Sequence, residues 1–196
     1  MRESVARLLP DGTTRWGRLG HAGAVTTSDP EPHASPALAV RRYARPDEPW
    51  VRAWFRDPEL DRWLGPLDDN WCAHVETETT GVQLVVEHEG RPIALVGVEW
   101  DPLGDRHAVT DVAVDPSRRR SGVGRVALDA ALAWSGHPAA TGWVAFVDPD
   151  NAVALGFFDA LAWTAGAVDD GLRCMTSPAG CAHRGVRAVA GPRPRG

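Results

Sequence analysis

The chain contains no lysine: its 21 basic residues are all arginines, outnumbered by 26 aspartates and glutamates, for a formal net charge of −5. A general nucleic-acid binder needs a basic face to neutralise phosphates, so that class is disfavoured. Cysteine is scarce. Cys72, Cys174 and Cys181 form no CxxC pair and leave an odd thiol, which fits neither a disulfide framework nor a zinc site. Reduced thiols and no bound metal are the expectation. No stretch approaches the roughly 18 apolar residues of a membrane span, and the N-terminus lacks the apolar core of a signal peptide. The expected protein is therefore soluble and cytoplasmic, without a membrane partner. Of 196 residues, 43% are hydrophobic, enough for one core and too few for two.

Order along the chain is uneven. Residues 1–36 carry the turn-rich runs "PDGTT" and "TTSDPEPHASP", and residues 178–196 end in "GPRPRG" with four arginines and no acid. Both ends read as disordered tails around a domain at 37–177. With the first 36 residues balanced and the last stretch at +4, that middle segment holds −9. Within it, "LAVRRYA" alternates like an edge strand, "DEPWVRAWFRD" reads as an amphipathic helix, and "DPELDRWLGP" as a second helix stopped by Gly65 and Pro66. "VQLVVEHEG", "PIALVGVEW" and "AVTDVAVDP" follow as an antiparallel meander. A helix begins at Val123, "GWVAFVDPD" is a strand, "NAVALGFFDAL" a helix capped by Asn151, and a hairpin around "DDG" closes the order.

The stretch "VDPSRRRSGVGR" (114–125) lies at a strand-to-helix junction. A helix start offers unpaired N–H groups and a positive dipole end, and Gly122 and Gly124 keep side chains out of the approach. Arginines on the rim add bidentate phosphate donors. Such a site suits a phosphate or pyrophosphate. The same residues taken alone also describe a tight turn with solvated arginines.

The pattern Arg119, Gly122, Gly124 after a strand and before a helix resembles the acyl-CoA signature R/Q-x-x-G-x-G/A of the GNAT superfamily of N-acetyltransferases. Downstream, Asn151, Ala154, Phe158, Ala162 and Trp163 stand at the spacing of that family's Asn, Ala, Tyr, Gly and Phe. The run "ARPDEPWVRAWFRDPELDRWLGP" is similar to the aminoglycoside and ribosomal-protein acetyltransferase branches. The resemblance implies a mixed, mostly antiparallel α/β sheet flanked by helices, with one strand pair splayed to admit acetyl-CoA. It places the pantetheine arm on the backbone of Val112, Ala113 and Val114. The pyrophosphate would lie on the loop of Arg119, Arg120, Ser121, Gly122, Val123, Gly124 and Arg125, with Asn151 and Phe158 nearby.

The implied reaction is direct attack of a neutral amine on the thioester. An alkyl ammonium has a pKa of about 10, so a carboxylate must take its proton, often through water. Strand alternation turns Asp111 away from Thr110, Val112 and Val114. If "PLGD" is a four-residue hairpin loop, Glu99 opposes Ala108, where the family often has its glutamate. Glu99 is thus the first candidate, with Asp111 and His107 behind it. Phe158 replaces the tyrosine that protonates the departing thiolate in many members, and Tyr43 is the only tyrosine in the chain. A degenerate acyl-CoA-binding module therefore stands beside the enzyme reading. Nucleic-acid binding by the arginine cluster and tail rests on local charge alone.

Residues 47–78, which hold the helices beside the family's acceptor cleft, contain nine acids against three arginines, and also Trp54, Trp63 and Trp71. A small cationic amine is the expected acceptor, ahead of a protein N-terminus. A solvated acidic surface is the competing account. A homodimer is compatible with everything above.

Overall fold

The computed structural model describes residues 7–8 and 38–178. The N-terminal and C-terminal tails expected at 1–36 and 178–196 lie almost wholly outside these described residues.

Strand β1 is the two-residue piece Arg7–Leu8, and β2 spans Leu38–Arg42. Three helices follow: α1 at Glu48–Trp54, α2 at Pro58–Leu64 and α3 at Asp69–Thr77. The meander is β3 (Gly81–His88), β4 (Arg91–Glu99) and β5 (Arg106–Val114). Then come α4 (Val123–Leu132), β6 (Gly142–Val147), α5 (Ala152–Ala160), β7 (Thr164–Asp169) and β8 (Leu172–Thr176). The sheet order is β2-β3-β4-β5-β6-β8-β7, and β1 adds to β5 off this path. Every neighbouring pair on the path is antiparallel except β5–β6. The expected meander, the helix from Val123 and the closing hairpin are all present.

Alternation along β3 and β4 divides the core into two layers. Leu84, Val86, Ala94 and Val96 join Ala127, Leu128 and Ala131 of α4 and Phe157 and Phe158 of α5 in the larger cluster. Val85, Leu95 and Ala113 face the other way, onto Val51 of α1 and Leu60 of α2. Leu128 is fully enclosed, so its truncation to alanine is expected to cost about 2–5 kcal/mol.

The sequence reading left out two elements, the strand β1 inside the stretch expected to be a tail and the helix α3. Only Trp71, Cys72, Ala73 and Val75 are apolar among its nine residues, and none of them is buried. A stripe that thin gives little periodic signal. The helix starts because the Asp68 carboxylate accepts the Trp71 N–H at 2.8 Å, and it holds its place through Trp71, whose ring meets Tyr43 edge-on at 5.5 Å.

Two irregularities on β5 position everything that follows. On the β6 side, pairing covers only Arg106–Val109 against Gly142–Ala145, and from there the strands part. On the β4 side, Gly97 opposes Asp111 while Val98 opposes Val109, so Thr110 is an extra residue: a β-bulge.

Candidate active site

The loop between β5 and α4 begins with a single 3₁₀ turn at Pro116–Arg118, held by the Asp115 carboxylate, which accepts from the Ser117 N–H at 2.9 Å and its hydroxyl at 2.8 Å. Arg120 (φ +60°) and Gly122 (φ +80°) both take the left-handed conformation. Alternation of that conformation with ordinary backbone turns successive N–H groups toward one side, and Gly122 is the N-cap of α4, whose first-turn N–H groups have no intrahelical acceptor. The β5 edge beyond Val109 supplies backbone that β6 does not engage. A turn of this shape beside a strand edge that β6 does not engage is a backbone arrangement able to receive phosphate oxygens and amide groups.

The two glycines have different reasons. Gly122 needs its positive φ. A Cβ on Gly124 would lie 3.2 Å from Phe157 Cε2 and 3.4 Å from Val114 Cγ2, inside the core. Gly124 therefore lets α4 pack closely on β5 and α5, and clearing a path for phosphate is not what its missing side chain does. The arginines divide too. Arg119 donates both terminal nitrogens to Asp57, at 3.0 and 2.6 Å, and its Nε is enclosed without a hydrogen-bond partner. Asp57 also caps α2, accepting from Glu59 N at 3.0 Å and Leu60 N at 3.2 Å. Arg119 is thus a clamp between the loop and α2, and it holds the Asp57 carboxyl below the ordinary carboxylate range against the opposing effect of burial. Arg118 lies 3.8 Å from Asp115.

Asn151 caps α5 as its position implies, its Oδ1 accepting from Ala154 N at 3.0 Å. Phe158 is fully buried, its ring centre 4.6 Å from that of Trp163 and 5.5 Å from that of Phe157. Its ring faces the core and presents no surface to a ligand.

On the face of α1–α3, a cleft of about 760 Å³ opens between α3 and the ends of β3, β4 and β5. Glu99 and Asp111 both line it, together with Asp68, Glu78 and His74. The Glu99–Ala108 register counted from the hairpin loop is the one observed. Asp111 is where simple alternation misleads: the extra residue at the bulge puts Thr110 and Asp111 on the same face, with Thr110 Oγ1 donating to Asp111 Oδ2 at 3.1 Å. Gly97 opposite leaves room for them, since a Cβ there would collide with Thr110 Oγ1, Asp111 Oδ2 and Gln83 Oε1. Gln83, nearly buried, lines the same niche, and its Nε2 is enclosed without a hydrogen-bond partner.

His107 does not belong to this site. It is fully buried on the opposite face, 5.4 Å from the Trp143 ring. Its Nδ1 accepts the Asp101 N–H at 3.1 Å, and its Nε2 lies 3.1 Å from the Pro138 carbonyl, which can only accept. Both ring nitrogens are engaged in the core, so a general-base role has no geometry behind it. Tyr43 is buried in the smaller cluster beneath Trp71, and burial pushes its phenol up to about 12.

The acidic segment divides as well. Asp47, Glu48, Asp57, Asp69 and Glu76 are each within 4.0 Å of an arginine nitrogen. Asp68 and Glu78 line the cleft, and both are held below the ordinary carboxylate range, Asp68 by the Trp71 N–H and Glu78 by the Thr80 hydroxyl. The charge facing the cleft thus comes from two residues of the segment and two of the sheet. Sequence reading missed Gln83 and Thr110 as cleft residues and did not single out Asp68, His74 and Glu78 individually. The one available signal was "TD" next to a strand glycine partner, which is too common to act on.

The sequence profile described as Acetyltransferase (GNAT) family matches residues 40–163. No curated protein matches in sequence. Among solved structures, the ribosomal-protein-S18-alanine N-acetyltransferase from Escherichia coli superposes with a TM-score of 0.54 at 16% identity, over 74% of this chain and 97% of that one. A chimera of the spermidine N-acetyltransferase SpeG from Vibrio cholerae and hSSAT gives 0.58 at 14% identity, over 71% and 94%. Campylobacter jejuni N-acetyltransferase PseH, solved with acetyl coenzyme A, gives 0.55 at 10% identity, over 71% and 97%.

Proposed function

This chain belongs to the Acetyltransferase (GNAT) family, and on that premise we propose that it acetylates a small cationic amine held in the carboxylate-lined cleft. It is an acyl-CoA-dependent N-acetyltransferase with acetyl-CoA as co-substrate. The catalytic unit in this reading is residues 37–177. The carrying observation is the charge of the cleft: Asp68, Glu78, Glu99 and Asp111 line it, and among the described residues no arginine does.

Acetyl-CoA supplies a thioester whose acyl carbon accepts the amine nitrogen as the carbon–sulfur bond breaks. The chain's own residues do the rest. Gly122 and the first turn of α4 bind phosphate through backbone N–H groups. The edge of β5 at Val112, Ala113 and Val114, which β6 leaves unpaired, aligns the arm. Asp68 and Glu78 at the cleft draw in the ammonium form, because a negative cleft raises the local cation concentration. Glu99 then takes the ammonium proton so that a neutral nitrogen can attack. Asp111 already receives the Thr110 hydroxyl on its Oδ2, which fixes that carboxylate in place beside the reacting nitrogen. Its charge and the Gln83 amide orient the incoming nitrogen. Phe158 has no proton to give, so water protonates the departing thiolate.

The test is a screen of diamines, aminoglycosides, neutral amines and peptide N-termini, following thiol release at low and high salt. Small cations are expected to react best, with KM rising several-fold at high salt. Preference for a peptide N-terminus or for an acidic acceptor, or a KM indifferent to salt, would remove the cationic-amine assignment.

A further inference from the structure

We infer that the chain carries its own competitor for the acyl-CoA arm: the strand β1, Arg7–Leu8, occupies the gap between β5 and β6. β1 pairs in parallel with β5, Arg7 opposite Asp111 and Leu8 opposite Val112. That is just past Val109, the last residue of β5 to pair with β6. Besides β5, β1 lies against β6, α5 and α2, the elements that wall the gap. On the β4 side, β5 is already paired from Ala108 to Val114, so the edge that β1 takes is the only backbone edge these residues have left. Where the sheet opens for an amide-bearing ligand, two residues of the chain supply the same pattern of backbone donors and acceptors. A ligand arm and β1 cannot hold the Val112 edge together.

This inference rests on the reading that acetyl-CoA binds along β5. A two-residue parallel pair is a weak lock, because it adds few backbone bonds and covers little surface. Binding therefore selects the released state, and the apparent affinity is reduced by the fraction of chains in which β1 is withdrawn. The device tunes affinity and leaves the chemical step alone.

The experiment uses the full-length chain with Arg7→Pro and Leu8→Pro together, since proline cannot donate to the ladder. Calorimetry with coenzyme A is expected to show binding about 3- to 10-fold tighter than the parent, with kcat for any reactive amine unchanged. Amide exchange at Arg7 and Leu8 in the parent is expected to accelerate when coenzyme A is added. Equal or weaker binding by the variant, or slower exchange at these amides with ligand, overturns the competitor. If neither chain binds coenzyme A while both remain folded by circular dichroism, the acyl-CoA reading fails and the competitor fails with it.

Discussion

Beyond Val109, strand β5 turns toward β6 a backbone edge that β6 does not pair and that β1 takes only at Asp111 and Val112, and it runs into a loop whose shape is set by positive φ angles at Arg120 and Gly122. On the face toward α3, the same strand presents the side chains of Thr110 and Asp111, brought together by a bulge and joined there by Glu99 and Gln83. The first surface is made of peptide groups and tolerates changes of side chain as long as the backbone conformation survives. The second is made of carboxylates and amides delivered by β3, β4, β5 and α3, so single atoms matter. Substitutions on the backbone-built side are accordingly expected to act through conformation and stability, and those on the side-chain-built side through turnover.

The largest effect belongs to the cleft. Glu99→Gln is expected to lower kcat about 10²-fold with coenzyme A affinity unchanged, the usual scale for loss of a general base. Asp111→Asn is expected to raise KM for the amine more than it lowers kcat. Steady-state kinetics checks both, and the reverse ranking would move the base to Asp111.

The glycines sharpen the contrast on the other side. Gly124→Val overpacks against Phe157 and Val114, at a cost of about 1–3 kcal/mol, so Tm falls by about 3–10 °C. Gly122→Val forces a β-branched residue to φ +80°, and the loop responds by shifting its N–H groups. Coenzyme A affinity is then lost with a smaller change in Tm. Thermal melts and calorimetry on the two variants separate packing from binding, and identical behaviour would mean that the two positions share one role.

A smaller effect comes from the clamp joining the loop to α2. Asp57 and Arg119 are each about one-fifth exposed, so Asp57→Asn is expected to cost about 1–2 kcal/mol at neutral pH, between the values of surface and buried pairs. Because the folded-state pKa of Asp57 is depressed, its stabilisation is present above the ordinary carboxylate pKa of about 4 and is lost as pH falls through the lower folded value. The Tm difference between parent and variant is expected to shrink below pH 4. A difference that persists in acid would assign the stabilisation to something other than the ion pair.

Phe158→Tyr is expected to change turnover least. The ring it extends is enclosed beside Phe157 and Trp163, so the added hydroxyl meets core side chains and gains no access to a departing thiolate. A rise in kcat would show that this position opens onto the thioester after all.

Legibility followed the same division. The meander, the α4 start and the Asn151 cap could be read because strand alternation, helix periodicity and capping act over a few consecutive residues. Even the Glu99–Ala108 pairing could be counted, since a hairpin loop propagates its register outward. Asp111 could not, because one extra residue at Thr110 reverses the alternation on which the count depends. The acidic segment was visible as composition, but composition does not say that Asp57 would turn to an arginine 62 positions away while Asp68 and Glu78 face the cleft.

What the sequence by itself determined is the family, the order of elements apart from β1 and α3, and the glycine turn that opens α4, all carried by local backbone preferences and short spacings. Only the tertiary structure decided that Gly124 is a packing glycine, that His107 is a core residue, that Arg119 is a clamp and that four carboxylates converge on one cleft. Those outcomes depend on which distant side chain comes within about 3 Å, and such a distance is set by how the sheet bulges and splays, not by any run of neighbouring residues.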